Sequence, residues 1–147
     1  MLLVAAAVVL VSACEQRQAA TPPAPASAPA GPALVPSLAQ LERGARLFQE
    51  HCAQCHGPEA QGHPDWATPG VIAAPPLDGS GNEWKRSRAA MAQVILNGAE
   101  RDGVPVMPAW AGRLSEAEVD DIIAWYQALW PPEVYARWQQ AHAGTGR

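Results

Sequence analysis

Cys52-Ala53-Gln54-Cys55-His56 is the stretch on which the reading of this chain turns. Two thiols three positions apart, followed at once by an imidazole, make the Cys-x-x-Cys-His pattern of c-type haem attachment. The spacing lets both sulfurs reach two vinyl groups of one porphyrin, with the histidine beneath the iron. Two other chemistries use a Cys-x-x-Cys pair. A tetrahedral zinc site wants four protein ligands, and Cys52, Cys55, His56 and His63 are the set that could supply them. The remaining histidines, His51 and His142, form no second pair of similar spacing. A redox dithiol follows a strand in a βαβ pattern, whereas the residues before Cys52 read as helix. Covalent haem is the favoured reading of the three. The third cysteine, Cys14, belongs to a different feature.

Leu2 to Val11 is an unbroken apolar run ending in Ser12-Ala13-Cys14. It is too short to span a bilayer as a helix, which needs about 20 residues, and a removed signal peptide fits better. The pattern resembles a bacterial lipoprotein signal, in which small residues precede the lipidated cysteine. It departs from one in having no Lys or Arg before the run, as if the true start lay upstream. On this reading residues 1–13 are the signal and Cys14 is the acylated end of the mature chain. A secretory peptide with an incidental Cys14 is the plainer alternative, and on both readings the chain is exported. Residues 14–36 then form a linker, with Pro22, Pro23, Pro25, Pro29, Pro32 and Pro36 set among Ala, Ser and Thr. Such a segment cannot bury enough apolar surface to offset its ordering entropy. As polyproline II at about 3.1 Å per residue it could reach roughly 70 Å.

Residues 37–147 are expected to form one domain, large enough to hold a core without disulfides. Leu38, Leu41, Ala45, Phe48 and Cys52 recur at steps of three and four, one face of a helix that Ser37 caps after Pro36. Residues 88–97 read as a second helix, with Met91, Val94 and Ile95 on one side and Gly98 as its stop. Ser115 and Glu118 make a capping box for a third, whose apolar face is Val119, Ile122, Ile123, Tyr126 and Leu129. Pro131 and Pro132 end it, and residues 133–142 suggest a short terminal helix. Residues 57–84 are rich in Gly and Pro without a period, a loop long enough to wrap a prosthetic group. Strand signal is weak throughout. The expected fold class is all-α, three to four helices and long loops.

Taken together, residues 37–147 resemble a class I monohaem cytochrome c domain. The resemblance rests on Arg43-Gly44-x-x-Leu47-Phe48, Cys52-x-x-Cys55-His56-Gly57, Pro75-Pro76-Leu77-Asp78-Gly79 and Ile95-x-x-Gly98. It continues through Met107-Pro108-Ala109-Trp110 and Ile122-Ile123-Ala124-Trp125. It implies one covalent haem c on Cys52 and Cys55, with His56 as proximal ligand. It also implies a proline carbonyl accepting from the other imidazole nitrogen, with Pro76 the choice and Pro75 the alternative. Met91, Met107, His63 and His142 are candidates for the sixth ligand. Met107, in a loop before Pro108, matches the family ligand. His/Met ligation raises the reduction potential and leaves no open position at the metal. Gly44 and Phe48 are expected to pack on Ile122 and Trp125. Trp84 and Trp110 are candidate donors to haem carboxylates, and Lys85, Arg86 and Arg88 a candidate neutralising cluster.

The net charge of -4 gives no reason to invoke nucleic acid. Glu116, Glu118, Asp120 and Asp121 suit a helix start and read as a solvated face or a docking patch for a basic redox partner. The implied function is one-electron transfer between protein partners. The carrier would be held by a lipid anchor on the periplasmic side of the envelope, with no catalytic residues and no small-molecule substrate. A relay subunit of a larger oxidoreductase or terminal oxidase is the alternative, with Tyr135 and Trp138 as docking residues. A haem enzyme or gas sensor with an open sixth position is the third.

Overall fold

The structure, a computed structural model, describes residues 35–143. The expected signal peptide, Cys14 and nearly all of the linker lie outside the described residues. Five helices and one small hairpin follow in chain order: α1 (Leu38–His51), α2 (Ala53–His56), α3 (Arg88–Asn97), β1 (Ala99–Arg101), β2 (Val104–Met107), α4 (Glu116–Ala128) and α5 (Pro132–His142). A single 3₁₀ turn, Glu83–Lys85, precedes α3. The mostly helical class is as expected. The hairpin is not: β1 and β2 pair antiparallel, Arg101 opposite Val104 and Ala99 opposite Met107, with an irregularity between Ala99 and Glu100. Strands of three and four residues leave too little alternation to be seen in sequence.

Each main helix starts on the serine that marks it. The Ser37 hydroxyl accepts from the Gln40 N–H at 3.2 Å, and Ser87 accepts from Ala90 at 3.2 Å. At α4 the box is reciprocal. Ser115 Oγ accepts from the Glu118 N–H, and the Glu118 carboxylate accepts from the Ser115 N–H at 2.8 Å. These bonds satisfy amides that have no partner inside the helix.

α1 lies along α4. The buried face of α1 is Gly44, Leu47 and Phe48, whereas Leu38, the first residue of the expected face, is 73% exposed. The rotation comes from Gly44. A side chain there would overlap the Asp121 carbonyl oxygen of α4 and lie 2.8 Å from Trp125 Cβ. The two backbones meet at this point, so Gly44 must face α4 and the rest of α1 turns with it. Phe48, fully buried, follows one turn later, its ring 4.5 Å from that of Trp125. Burying a side chain of this size is worth about 1.5–3 kcal/mol. Met91 and Ile95 of α3 join Val119, Ile122, Ile123 and Tyr126 of α4 in the same core. Leu129, expected on the α4 face, is instead its C-cap and 40% exposed, and Trp130 fills the core beyond it.

The acidic start of α4 is not a plain solvated face. Arg43 Nε donates to Asp121 at 2.8 Å with the carboxylate largely buried, and this pair joins α1 to α4. Arg88 donates to the Asp120 side chain and carbonyl and to Gln127, joining α3 to α4. Arg86 lies 3.6 Å from Glu83. Arg86 and Arg88 of the expected neutralising cluster are therefore engaged within the protein.

Gly44→Ala should destabilise the protein by about 1–3 kcal/mol, as overpacking in a core does, read as a lower urea midpoint at unchanged slope. Glu118 is held below its ordinary value of 4.5, first by the Ser115 N–H and then by the Ser115 hydroxyl. Its contribution is present above that value and is lost as pH falls through the lower folded-state value. Thermal unfolding of wild type and Glu118→Gln should therefore differ most near neutral pH and converge in acid, as pH falls through the lowered folded-state value.

Candidate functional site

The last turn of α1 delivers the Cys-x-x-Cys-His run. The Cys52 N–H still donates to Phe48 O at 2.8 Å, so the helix runs directly into the motif. α2 is a single turn, closed by His56 N–H to Cys52 O at 2.9 Å and Cys55 N–H to Cys52 O at 3.1 Å. One turn brings two residues three apart onto the same side. Cys52 is half-buried, Cys55 is exposed, and both thiols are free. Burial, and then the neighbouring Cys55, push the Cys52 thiol up to about 11. A reactive redox dithiol needs a depressed value instead. Among the described residues no cluster of three or more metal-binding side chains exists, which disfavours the zinc alternative.

His56 is 8% exposed. Its Nδ1 lies 2.9 Å from Pro75 O. A carbonyl can only accept, so the proton is on Nδ1 and the Nε2 lone pair is left for a metal. Burial lowers the imidazole's proton affinity, and the bond to Pro75 opposes this without reversing it. The ring is therefore neutral at physiological pH, the form that ligates. The acceptor is Pro75, not Pro76 as the family pattern suggested. In extended chain, successive carbonyls point away from one another. Pro76 O packs against Gly81 instead.

The other candidate ligands sort by environment. Met91 is 1% exposed in the core with Val119 and Ile122. His63 is exposed, and its Nδ1 accepts from the Asp65 N–H at 3.1 Å. Met107 is half-buried at the core's edge and ends β2, where a loop had been expected. Gly98 packs on its backbone: a side chain there would lie 2.6 Å from Met107 O and 2.9 Å from Ala109 N.

The long loop is ordered by indole pins. Trp130 Nε1 donates to Leu77 O and Trp138 Nε1 to Arg86 O, each at 2.8 Å. Arg101 of the hairpin donates to Val71 O at 3.1 Å. Tyr135 and Trp138 lie tilted against each other and edge-on to Trp130, so these α5 aromatics pack on the core and are only partly exposed. Trp110 packs between His51 and Arg113, and Trp84 lies under Lys85 and Arg137. Among the described residues the indole hydrogen bonds to protein are thus those of Trp130 and Trp138.

The residues present fit a flat apolar prosthetic group. Cys52, Leu77, Trp84, Leu96 and Met107 fringe the core and are only partly covered. Tyr126 is 2% exposed, and no hydrogen bond to its hydroxyl is found among the described residues. Burial, and then Glu83, hold that phenol well above its ordinary value, so it stays a proton donor.

This fold and this constellation define a c-type cytochrome domain, an electron carrier. Residues 39–125 match the family model described as cytochrome C oxidase, cbb3-type, subunit III, and the chain belongs to that family. It is 36% identical over 91 residues to the Cbb3-type cytochrome c oxidase subunit CcoP of Azospirillum brasilense, covering 62% of this chain and 29% of that protein. It is 35% identical over 86 residues to the Cbb3-type cytochrome c oxidase subunit FixP of Bradyrhizobium sp. (strain ORS 278), covering 58% and 26%. The match thus spans less than a third of these curated relatives. The crystal structure of cytochrome CL from Methylophaga aminisulfidivorans MPT shares the fold, with a TM-score of 0.52 at 18% identity over 76% of this chain and 68% of that one. No helix of the described residues is long and apolar enough to cross a membrane.

Proposed function

We propose that this chain carries single electrons between protein partners through one haem c bound covalently to Cys52 and Cys55, with His56 and Met107 as axial ligands. Bound haem supplies the Fe(II)/Fe(III) couple. The observation that carries the reading is His56, one turn after Cys52, with Nδ1 bonded to Pro75 O and Nε2 left to ligate. That bond fixes the tautomer and makes the imidazole a better donor. Burial of the ring keeps water from its edge. Gly98 lets the chain bring Met107 in close to the end of α3, and a thioether ligand favours the reduced state. Tyr126, buried in the core against which Cys52 packs, keeps its phenol protonated. No general acid or base is needed.

Two settings suit such a carrier. In one, residues 1–13 are a signal, acylated Cys14 is a membrane anchor on the periplasmic side, and the Pro-rich segment to residue 36 tethers a shuttle. In the other, the domain relays electrons within a larger oxidase, and the names of the relatives, each a subunit of a cbb3-type cytochrome c oxidase, favour this second setting. Purification without co-eluting partners supports the shuttle.

Visible spectra of the exported protein with intact-mass spectrometry should find one haem bound through two thioethers. A colourless, folded product with two free thiols overturns the reading. In Met107→Ala the Fe(III)–sulfur band should vanish, the potential should fall, and the reduced protein should bind carbon monoxide tightly; an unchanged band rejects Met107 as the ligand. Cys14→Ser should move the protein from the membrane fraction to the soluble fraction, and retention on the membrane rejects the lipid anchor.

A further inference from the structure

The acceptor that orients His56 sits in an unusual stretch of backbone. Pro75 and Pro76 have no N–H, so neither can be tied down by donating. The segment is held at its two ends, by the His63 N–H on Ala74 O at 2.9 Å and the Leu77 N–H on Ala60 O at 2.7 Å. Between these bonds its position depends on packing. Gly62 lies against the Pro75–Pro76 peptide: a Cβ there would overlap Pro76 N and stand 2.7 Å from the Pro75 carbonyl carbon and 2.9 Å from Pro76 Cα. Gly62 also donates its N–H to His56 O at 2.7 Å. The contacts close a ring, from the His56 side chain to Pro75 O, across the proline peptide to Gly62, and back to the His56 main chain. Gly81 abuts the next carbonyl, where a Cβ would overlap Pro76 O and lie 3.3 Å from Pro76 C.

We propose that Gly62 and Gly81 are positioning residues for the axial histidine, seating the Pro75–Pro76 peptide so that Pro75 O meets His56 Nδ1. The inference rests on His56 being an iron ligand. Opening the 2.7 Å approach at Gly62 to an ordinary contact of about 3.5 Å moves the peptide by most of an ångström. A 2.9 Å hydrogen bond does not survive a displacement of that size at good geometry. The imidazole then loses basicity and orientation, and the oxidised iron loses more than the reduced iron.

The test uses the haem-bearing protein and three alanine variants. Gly62→Ala and Gly81→Ala both crowd the proline peptide. Gly70→Ala is the control: Gly70 shares a left-handed φ (+81° against +72° at Gly62) and lies in the same loop, but a Cβ there meets nothing within 4 Å. Redox titration should show Gly62→Ala raised relative to Gly70→Ala. A tenfold loss of preference for Fe(III) corresponds to about 59 mV. The His56 Nδ1–H signal should exchange faster with solvent in Gly62→Ala and Gly81→Ala than in wild type. Potentials and exchange no different from those of Gly70→Ala overturn the proposal. Gly81 has no left-handed φ to strain, so Gly81→Ala decides the matter if Gly62→Ala fails to fold. A wild-type protein without covalent haem overturns the haem reading itself; a haem-bearing wild type with unmoved variants overturns only the positioning role.

Discussion

The meeting of two backbones at Gly44 is the constraint on which the rest depends. α1 has to lie against α4 closely enough that even a methyl group at residue 44 would overlap the Asp121 carbonyl oxygen. Once that contact is made, the rotation of α1 is set. Leu47 and Phe48 turn into the core, Arg43 reaches the buried Asp121 carboxylate, and the last turn points Cys52 and the one-turn α2 at the core's edge. The Cys-x-x-Cys-His run is therefore aimed by a packing contact two turns before it. A motif on a free loop would hold its thiols and imidazole far less precisely.

A second constraint is the segment between α2 and α3, which has almost no regular structure. Such a length of chain is normally a poor element of a compact domain. Here it is held from both sides. The indoles of Trp130 and Trp138 donate to Leu77 O and Arg86 O, Arg101 donates to Val71 O, and main-chain bonds join residues 60–63 to 74–77. The loop in turn supplies Pro75 O to His56. α5 thus acts on the site at one remove. Its aromatic side chains brace the loop, and its N-terminal prolines stop α4 and redirect the chain to bring those rings back.

The charged residues illustrate how composition misleads when pairs are far apart in sequence. Four acidic residues at the start of α4 read as a face open to water or to a basic partner. Two of them are spent inside the molecule, Asp121 on Arg43 and Asp120 on Arg88. Glu118 is spent on the cap. Of the arginines that looked available to neutralise a bound carboxylate, Arg88 bridges α3 and α4 and Arg86 pairs with Glu83. Burial of Tyr126 beside the site leaves a neutral hydroxyl in a place where sequence periodicity saw only one more core position.

Local chemistry was legible in the sequence because it acts within a turn or two. The Cys-x-x-Cys-His spacing, the serine caps at Ser37 and Ser115, the Gly98 stop, and the prolines ending α4 all appear where their residue types require them. They sufficed for the helical class and for the placing of the Cys-x-x-Cys-His run at the end of α1. What depends on contacts between distant segments was not legible. The choice of Pro75 over Pro76 turns on which of two adjacent carbonyls faces His56, and the rotation of α1 turns on the α4 backbone. The hairpin carrying Met107 needs a partner strand too short to leave a pattern, and the indole pins join residues about fifty apart. Periodicity records which face of an element is apolar. It carries no information on what lies across from that face, and at this site the hydrogen bond to the histidine and the room left by the glycines are decided there.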